Sequence, residues 1–272
     1  MHVWLVVWIH YIQVDETPIP VLEKGKKQTH RGYYWVYYNP ITRHVFFDYR
    51  EGRGREGPEE TLKNFNGYIQ TDGYAVYERL NGLGTTTLLC CMAHARRYFE
   101  KALDNDQPRA SHFLQQVQTL YQLERQWREG MLSAEQIQKK RFLQSKPILD
   151  ELQGWLTTSS KEVLPKSTIG KAIDYSLQRW EKLTGYINDG RLQIDNNLVE
   201  NQIRPVAIGR KNYLFAGSHE AAQRSAKFYS ILGTLKAHSL DPFEYLNDVF
   251  ERLPQTTINN INEFLPGNWK KD

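Results

Sequence analysis

Two apolar, β-prone runs in this chain each terminate in an aspartate, and the next acid in a comparable setting comes only after a long stretch of helical composition. Trp8-Ile-His-Tyr-Ile-Gln-Val leads into Asp15, and Gly67-Tyr-Ile-Gln-Thr leads into Asp72. That pattern predicts two strands, each presenting a carboxylate where it ends. Glu200 stands instead in a polar helix start, Ile-Asp-Asn-Asn-Leu-Val-Glu. Asp15 and Asp72 are 57 residues apart, room for a β-hairpin and a helix, whereas Asp72 and Glu200 are 128 apart, far more than one crossover needs.

The surplus lies between about Gln107 and Asp189, where Gln, Leu, Glu, Lys and Arg dominate. There Phe113, Val117, Leu120, Leu123 and Trp127 recur at helical spacing. The resulting expectation is an α/β fold: a ribonuclease-H-like mixed sheet flanked by helices, with an all-helical insertion before the glutamate. Residues 1–106 would form the first part of the core, 107–189 the insertion, 190–254 the remainder with the Glu200 helix and C-terminal helices, and 255–272 a polar, loosely held tail.

Finer elements follow from local signals. Residues 3–15 read as a first strand, and Tyr33–Asn39 with Arg43–Tyr49 as a hairpin turning at Asn39-Pro40, so that three antiparallel strands open the sheet. Pro58-Glu-Glu starts a short helix. Tyr68–Asp72 and Thr85–Cys90 read as strands four and five, Tyr74–Leu80 and Ala93–Leu103 as helices.

Two strand-borne aspartates and a helical glutamate suit a site holding two divalent ions roughly 3.5–4 Å apart, one activating an attacking oxygen and the other stabilising the leaving oxygen. Hard oxygen donors select Mg²⁺ or Mn²⁺. Plainer roles stand beside this one. Asp15 before Glu-Thr-Pro could be a turn acid, Asp72 before Gly73 a helix cap, and Glu200 a surface glutamate in a first turn that already favours acids. Asp195 reads as the N-cap of the Glu200 helix.

Five blocks in order carry a resemblance: Asp-Glu-Thr-Pro-Ile-Pro-Val-Leu (15–22), Thr-Asp-Gly-Tyr-Ala-Val-Tyr (71–77), Cys-Met-Ala-His-Ala-Arg-Arg-Tyr-Phe (91–99), Ile-Asp-Asn-Asn-Leu-Val-Glu-Asn-Gln-Ile-Arg-Pro (194–205) and Gly-Arg-Lys-Asn-Tyr-Leu-Phe-Ala-Gly-Ser (209–218). Over roughly residues 12–254 the chain resembles the bacterial DDE transposases of insertion sequence sixty-six. The resemblance implies that Asp15, Asp72 and Glu200 are the catalytic, metal-binding acids. The implied reaction is DNA strand cleavage and strand transfer at transposon ends, with transposon-end and target DNA as partners. Such a family also carries an upstream DNA-binding segment and a cysteine-rich zinc element. Here the two cysteines, Cys90 and Cys91, are adjacent and cannot form a Cys-x-x-Cys site. The opening residues do not match before about Ile12, so an N-terminally truncated copy is expected. A non-catalytic DNA-binding remnant and a free-standing ribonuclease-H-like nuclease are the alternatives.

Composition narrows the setting. Two cysteines in 272 residues argue against a secreted disulfide framework and predict a cytoplasmic protein. The apolar opening is too short to span a bilayer and lacks a basic leader, so no membrane partner is expected; with DNA as the implied partner, no small-molecule substrate is expected either. A second copy of the chain is a candidate partner. A net charge of +4 leans only slightly toward nucleic acid. Arg96, Arg97, Arg204, Arg210 and Lys211 are the candidate phosphate contacts, with solvated helix faces as the alternative for each. His94 is a candidate auxiliary group, or a packed histidine bonded to a carbonyl. The Tyr33–Tyr38 run predicts one core face and one face open to solvent or DNA. Tyr213 and Phe215 read as core, with base stacking as the alternative.

Overall fold

The computed structural model describes residues 10–82 and 85–270. Five strands, β1 (Tyr11–Val21), β2 (His30–Tyr38), β3 (Val45–Arg50), β4 (Gly67–Thr71) and β5 (Thr86–Cys90), form one mixed sheet in the order β3-β2-β1-β4-β5. The chain divides into two compact units: described residues 10–67, 85–86 and 198–270 make the first, and 68–82 with 87–197 the second.

In the first unit β1, β2 and β3 are an antiparallel meander, as the hairpin signals predict. Asp15 stands opposite Val36, and Val36 opposite Phe47. The turn is fixed by Asn39, whose Oδ1 accepts the N–H groups of Ile41 at 2.6 Å and Thr42 at 2.9 Å.

β1 departs from expectation. Part of the predicted strand, residues 3–9, lies outside the described residues. At the other end the strand does not stop at Asp15 but continues through Thr17-Pro-Ile-Pro to Val21, so Asp15 is mid-strand. The prolines are tolerated because of the side they face. The carbonyls of Pro18 and Pro20 accept from Arg210 and from the Ala216 N–H (2.8 Å), on the edge away from β2. Their nitrogens point to that same edge, so no ladder bond to β2 is lost.

One face of the meander carries Ile19, Val21, Tyr34, Val36, Tyr38, Val45, Phe47 and Tyr49. Helices α8 (Asn197–Tyr213) and α9 (His219–Ala237) cover it through Val199, Val206, Ala222 and Ala226. Fully burying a valine of this kind contributes about 1.5–3 kcal/mol. The predicted open face of β2 is closed as well. Trp35 and Tyr37 are buried, and helix α1 (Glu56–Leu62) lies there, Gly57 sitting where an added Cβ would be 3.2 Å from the Trp35 indole nitrogen. The tail is likewise held. After α10 (Pro242–Arg252), Phe264 and Trp269 are buried, the Trp269 indole donates to Asp248 at 2.7 Å, and the Tyr245 hydroxyl donates to the Phe264 carbonyl. Two aromatic anchors outweigh the polar composition around them.

The second unit is mostly helical. Its helices are α2 (Met92–Glu100), α3 (Gln107–Glu129), α4 (Ala134–Lys140), α5 (Lys146–Ser159), α6 (Thr168–Gln178) and α7 (Trp180–Thr184). The predicted helix at Tyr74–Leu80 is a 3₁₀ turn, Ala75–Leu80. Starts are set by side chains: Asp106 accepts the Arg109 N–H, Ser133 forms a capping box with Gln136, and Ser167 accepts the Gly170 N–H. Phe99 of α2 stacks on Phe113 of α3 at 3.7 Å between ring centroids.

A buried ion pair locks this unit. Arg141, fully enclosed in a π-helical turn between α4 and α5, donates Nε and Nη2 to the two carboxylate oxygens of Glu124, each at 2.7 Å. Its remaining N–H groups reach the carbonyls of Tyr186, Asp189 and Leu192. Every donor of the guanidinium fork that faces inward therefore has an acceptor, which is the condition under which burying the charge is tolerated.

Candidate functional site

Asp15 occupies the helix-covered face of β1, between Gln13 and Thr17 and across from Val36. It is half-buried, and its Oδ1 accepts the Glu16 N–H at 2.8 Å. Gln13, fully buried two residues earlier on the same face, joins the strand to the helix that carries Glu200. Its Oε1 accepts the Val199 N–H at 3.1 Å, and its Nε2 donates to the Tyr11 hydroxyl at 3.0 Å. Glu200 follows Val199 directly, half-buried in the first turn of α8 as predicted. The positive end of the helix dipole favours a carboxylate at that position.

Asp72 belongs to the second unit and immediately follows β4. Its Oδ1 accepts the Tyr74 N–H at 2.8 Å, and its backbone carbonyl accepts the Tyr175 hydroxyl of α6 at 3.0 Å. The chain turns sharply at Gly73, where φ is +87° and an added Cβ would lie 3.0 Å from the Tyr175 hydroxyl and 3.1 Å from Arg179 Nε. Only glycine meets both constraints. Arg179 stacks over the Tyr175 ring at 4.4 Å, and Tyr175 stacks on Tyr98 at 4.3 Å. The helical insertion thus supplies part of the surroundings of Asp72.

Asp195 does more than cap. Its Oδ1 accepts the Asn197 N–H at 3.1 Å, while Oδ2 accepts both the Asn197 amide and the Tyr121 hydroxyl of α3 at 2.7 Å. Burial, then the neighbouring Asp195 charge, pushes the Tyr121 phenol far above its ordinary range. Tyr121 is thereby a neutral donor at any physiological pH. Cys90 and Cys91 are buried thiols, each pushed up to about 12 chiefly by burial, and Cys91 Sγ accepts the Asn196 N–H.

The expected phosphate contacts lie in varied settings. Arg96 is exposed and paired with Glu100 at 3.0 Å; Arg97 is exposed and reaches His94 Nε2 at 3.1 Å. Arg204 and Lys211 are exposed on α8, whereas Arg210 is half-buried and donates to the Pro18 carbonyl. Tyr213 and Phe215, read as core from sequence, are instead 41% and 40% exposed. The sequence reading missed Gln13, Tyr121, Tyr175 and Arg179. Gln13 had a signal, a polar residue alternating with Tyr11 and Asp15 within an otherwise apolar run. The other three sit on ordinary amphipathic helices and had none.

Asp15, Asp72 and Glu200 each offer a carboxylate, a donor type whose chemistry fits a hard divalent ion. Among the described residues, no group of three or more His, Cys, Asp or Glu side chains is gathered closely enough to hold a metal ion. Nor is any helix among them long and apolar enough to cross a membrane.

The chain is a mixed α/β protein with acids on β1, after β4 and in the first turn of a helix, and with exposed cations along that helix; sequence comparison places it among transposases. The particular family follows from sequence comparison. The model of the transposase IS66 family matches residues 6–224, and that of the IS66 C-terminal element matches residues 230–266. The chain belongs to the IS66 transposase family. The match begins at residue 6, earlier than the resemblance read from about Ile12, and reaches into the tail. Two relatives in Sinorhizobium fredii (strain NBRC 101917 / NGR234) are similar over nearly the whole chain. The uncharacterized protein y4jD is 33% identical over 95% of this chain and 53% of its own length, and the uncharacterized protein y4hP is 31% identical over 94% and 50%. The chain thus spans about half the length of these curated relatives.

Proposed function

We propose that this chain carries the catalytic core of a DDE polynucleotidyl transferase, cleaving and joining DNA strands at insertion-sequence ends, with Asp15, Asp72 and Glu200 as the acids that hold two Mg²⁺ or Mn²⁺ ions. When bound, such ions activate the attacking oxygen and stabilise the leaving one. The observation that carries the reading is the Gln13–Val199 hydrogen bond, which ties the strand of Asp15 to the first turn of the Glu200 helix within one compact unit. The mixed sheet with flanking helices agrees with a ribonuclease-H-like core. The chain's own part is to orient: Gln13 fixes the start of α8, and the Gly73 turn with the Tyr175 hydroxyl fixes the backbone at Asp72. Exposed Arg204 and Lys211, with Arg96 and Arg97, would offset repulsion between the acids and the phosphate backbone.

One observation favours a second reading, a DNA-binding chain without chemistry: the described residues contain no ready group of three metal-ligating side chains. Nicking of a supercoiled plasmid in Mg²⁺ separates the two. The transferase reading expects nicking that disappears in Asp15→Ala, Asp72→Ala and Glu200→Ala alike. Activity unchanged in any one of them removes that residue from the mechanism, and duplex binding without nicking in the unaltered chain favours the second reading.

A further inference from the structure

The tip of the β1–β2 hairpin is a strongly basic short segment of the chain and has no part in the reading above. Residues 23–31, Glu-Lys-Gly-Lys-Lys-Gln-Thr-His-Arg, hold four Lys/Arg side chains and a single acid. The turn is built on the Lys26 N–H to Glu23 carbonyl bond at 3.1 Å, with Gly25 at φ +82° supplying the left-handed position. The acid is spent internally. Glu23 pairs with Lys26, and its Oε1 lies 3.3 Å from His219 Nε2 at the start of α9 and 3.4 Å from His30 Nδ1. These contacts fasten the tip to α9 and leave Lys24, Lys27 and Arg31 exposed, with no ion pair among the described residues.

The tip also has basic and aromatic company from the same unit. The segment after α8 pairs with the end of β1 through Val21 and Ala216, with the Leu22 N–H donating to the Ala216 carbonyl at 2.9 Å. Arg210 donates to Pro18. The α8 terminus, with exposed Lys211, Tyr213 and Phe215, is therefore held along the edge of the strand that leads into the tip. An open cleft walled by Lys26, Lys27, His30 and Arg31, with Glu23, Gln28 and Thr29 between them, completes the surface. Exposed Lys24 and Lys27, with Arg31 lying 5.8 Å over the Tyr33 ring, beside further cations and exposed aromatic rings, suit a phosphodiester backbone.

We propose that the β1–β2 hairpin tip is a second DNA-backbone contact, with Lys24, Lys27 and Arg31 neutralising phosphates of a duplex that also meets the end of α8. The proposal rests on the reading of the chain as DNA-binding. Each neutralised phosphate releases condensed counterion, so binding through three cations steepens the fall of affinity with salt by about 0.9 per contact in a plot of log affinity against log salt. The test compares three forms of the full chain, each checked for unchanged thermal unfolding, by anisotropy of a labelled random-sequence duplex over a range of NaCl. They are the unaltered protein, Lys24→Ala/Lys27→Ala/Arg31→Ala, and Lys161→Ala/Lys166→Ala/Lys171→Ala. Both variants lower the net charge from +4 to +1. The hairpin variant is expected to lose about 2.7 from the slope and to bind about tenfold or more weakly at low salt, while the Lys161/Lys166/Lys171 variant keeps the original slope. Equal losses in the two variants would mean that overall charge is responsible, and would overturn the proposal. A hairpin variant that binds like the unaltered protein overturns the hairpin contact alone, and an unaltered protein with no duplex affinity overturns the DNA-binding reading with it.

Discussion

Replacing Gln13 by leucine keeps the volume of a fully buried side chain while deleting the acceptor that meets the Val199 N–H at 3.1 Å. Val199 is itself fully buried, so this early helix N–H, which has no intrahelical carbonyl to bond, cannot turn to bulk water instead. Leaving a buried donor without its partner costs about 1–3 kcal/mol. For a chain of this size each kcal/mol corresponds to about 2–4 °C, so thermal unfolding should fall by roughly 2–12 °C. Activity should fall further than stability accounts for. The bond sets where α8 begins against β1, and a displacement of about 1 Å at a reacting centre costs on the order of 10²-fold in rate. The assay is plasmid nicking at a temperature where both proteins are folded, with unfolding followed in parallel by calorimetry. Gln13→Leu unfolding within a degree of the unaltered chain and nicking at the same rate would refute the claim that this side chain positions Glu200.

Arg141→Met strands the Glu124 carboxylate with only the partly exposed Arg128 nearby, at 3.3 Å, and should destabilise the helical unit by about 3–5 kcal/mol. Arg141→Lys should recover little, since an ammonium cannot meet two carboxylate oxygens and three carbonyls together; full recovery in urea unfolding would contradict this. Because burial raises both thiols from 9.0 to about 12, Cys90 and Cys91 should resist thiol reagents at pH 8 until the protein unfolds. The same shift has a sign for stability: it is fully present below pH 9 and is lost as pH rises toward 12, because the unfolded chain ionises first. Roughly 1 kcal/mol per thiol should be gone by pH 10, and a Cys90→Ala/Cys91→Ala variant should lack that part of the alkaline loss.

Much of this was legible along the chain because the signals were local. The hairpin of β2 and β3, the turn at Asn39 and the existence of strands β4 and β5 needed only nearest-neighbour rules, whereas the alternation in Tyr33–Tyr38 did not show that both faces of β2 are buried. The same locality explains what was not. Pro18 and Pro20 read as the end of a strand, and only the edge on which their nitrogens lie shows why β1 runs on to Val21. Arg141 closes a run of three basic residues, and no local signal shows that a π-helical turn rotates it inward onto Glu124, 17 positions earlier. Tyr213 and Phe215 had aromatic composition on their side, and nothing local showed that no partner packs over them enough to bury them. At the candidate site the elements carrying Asp72 and Glu200 were readable, whereas Gln13, Tyr175 and Arg179 act through contacts with distant segments, which no spacing rule encodes.

The central claim is that Asp15, Asp72 and Glu200 together hold divalent ions. Electron paramagnetic resonance of Mn²⁺ titrated into the full chain with duplex DNA present measures this without requiring turnover. The account predicts two Mn²⁺ bound per chain, with loss of at least one in each of Asp15→Ala, Asp72→Ala and Glu200→Ala. No bound Mn²⁺ in the unaltered chain, or the same stoichiometry and affinity in all three variants, would contradict it.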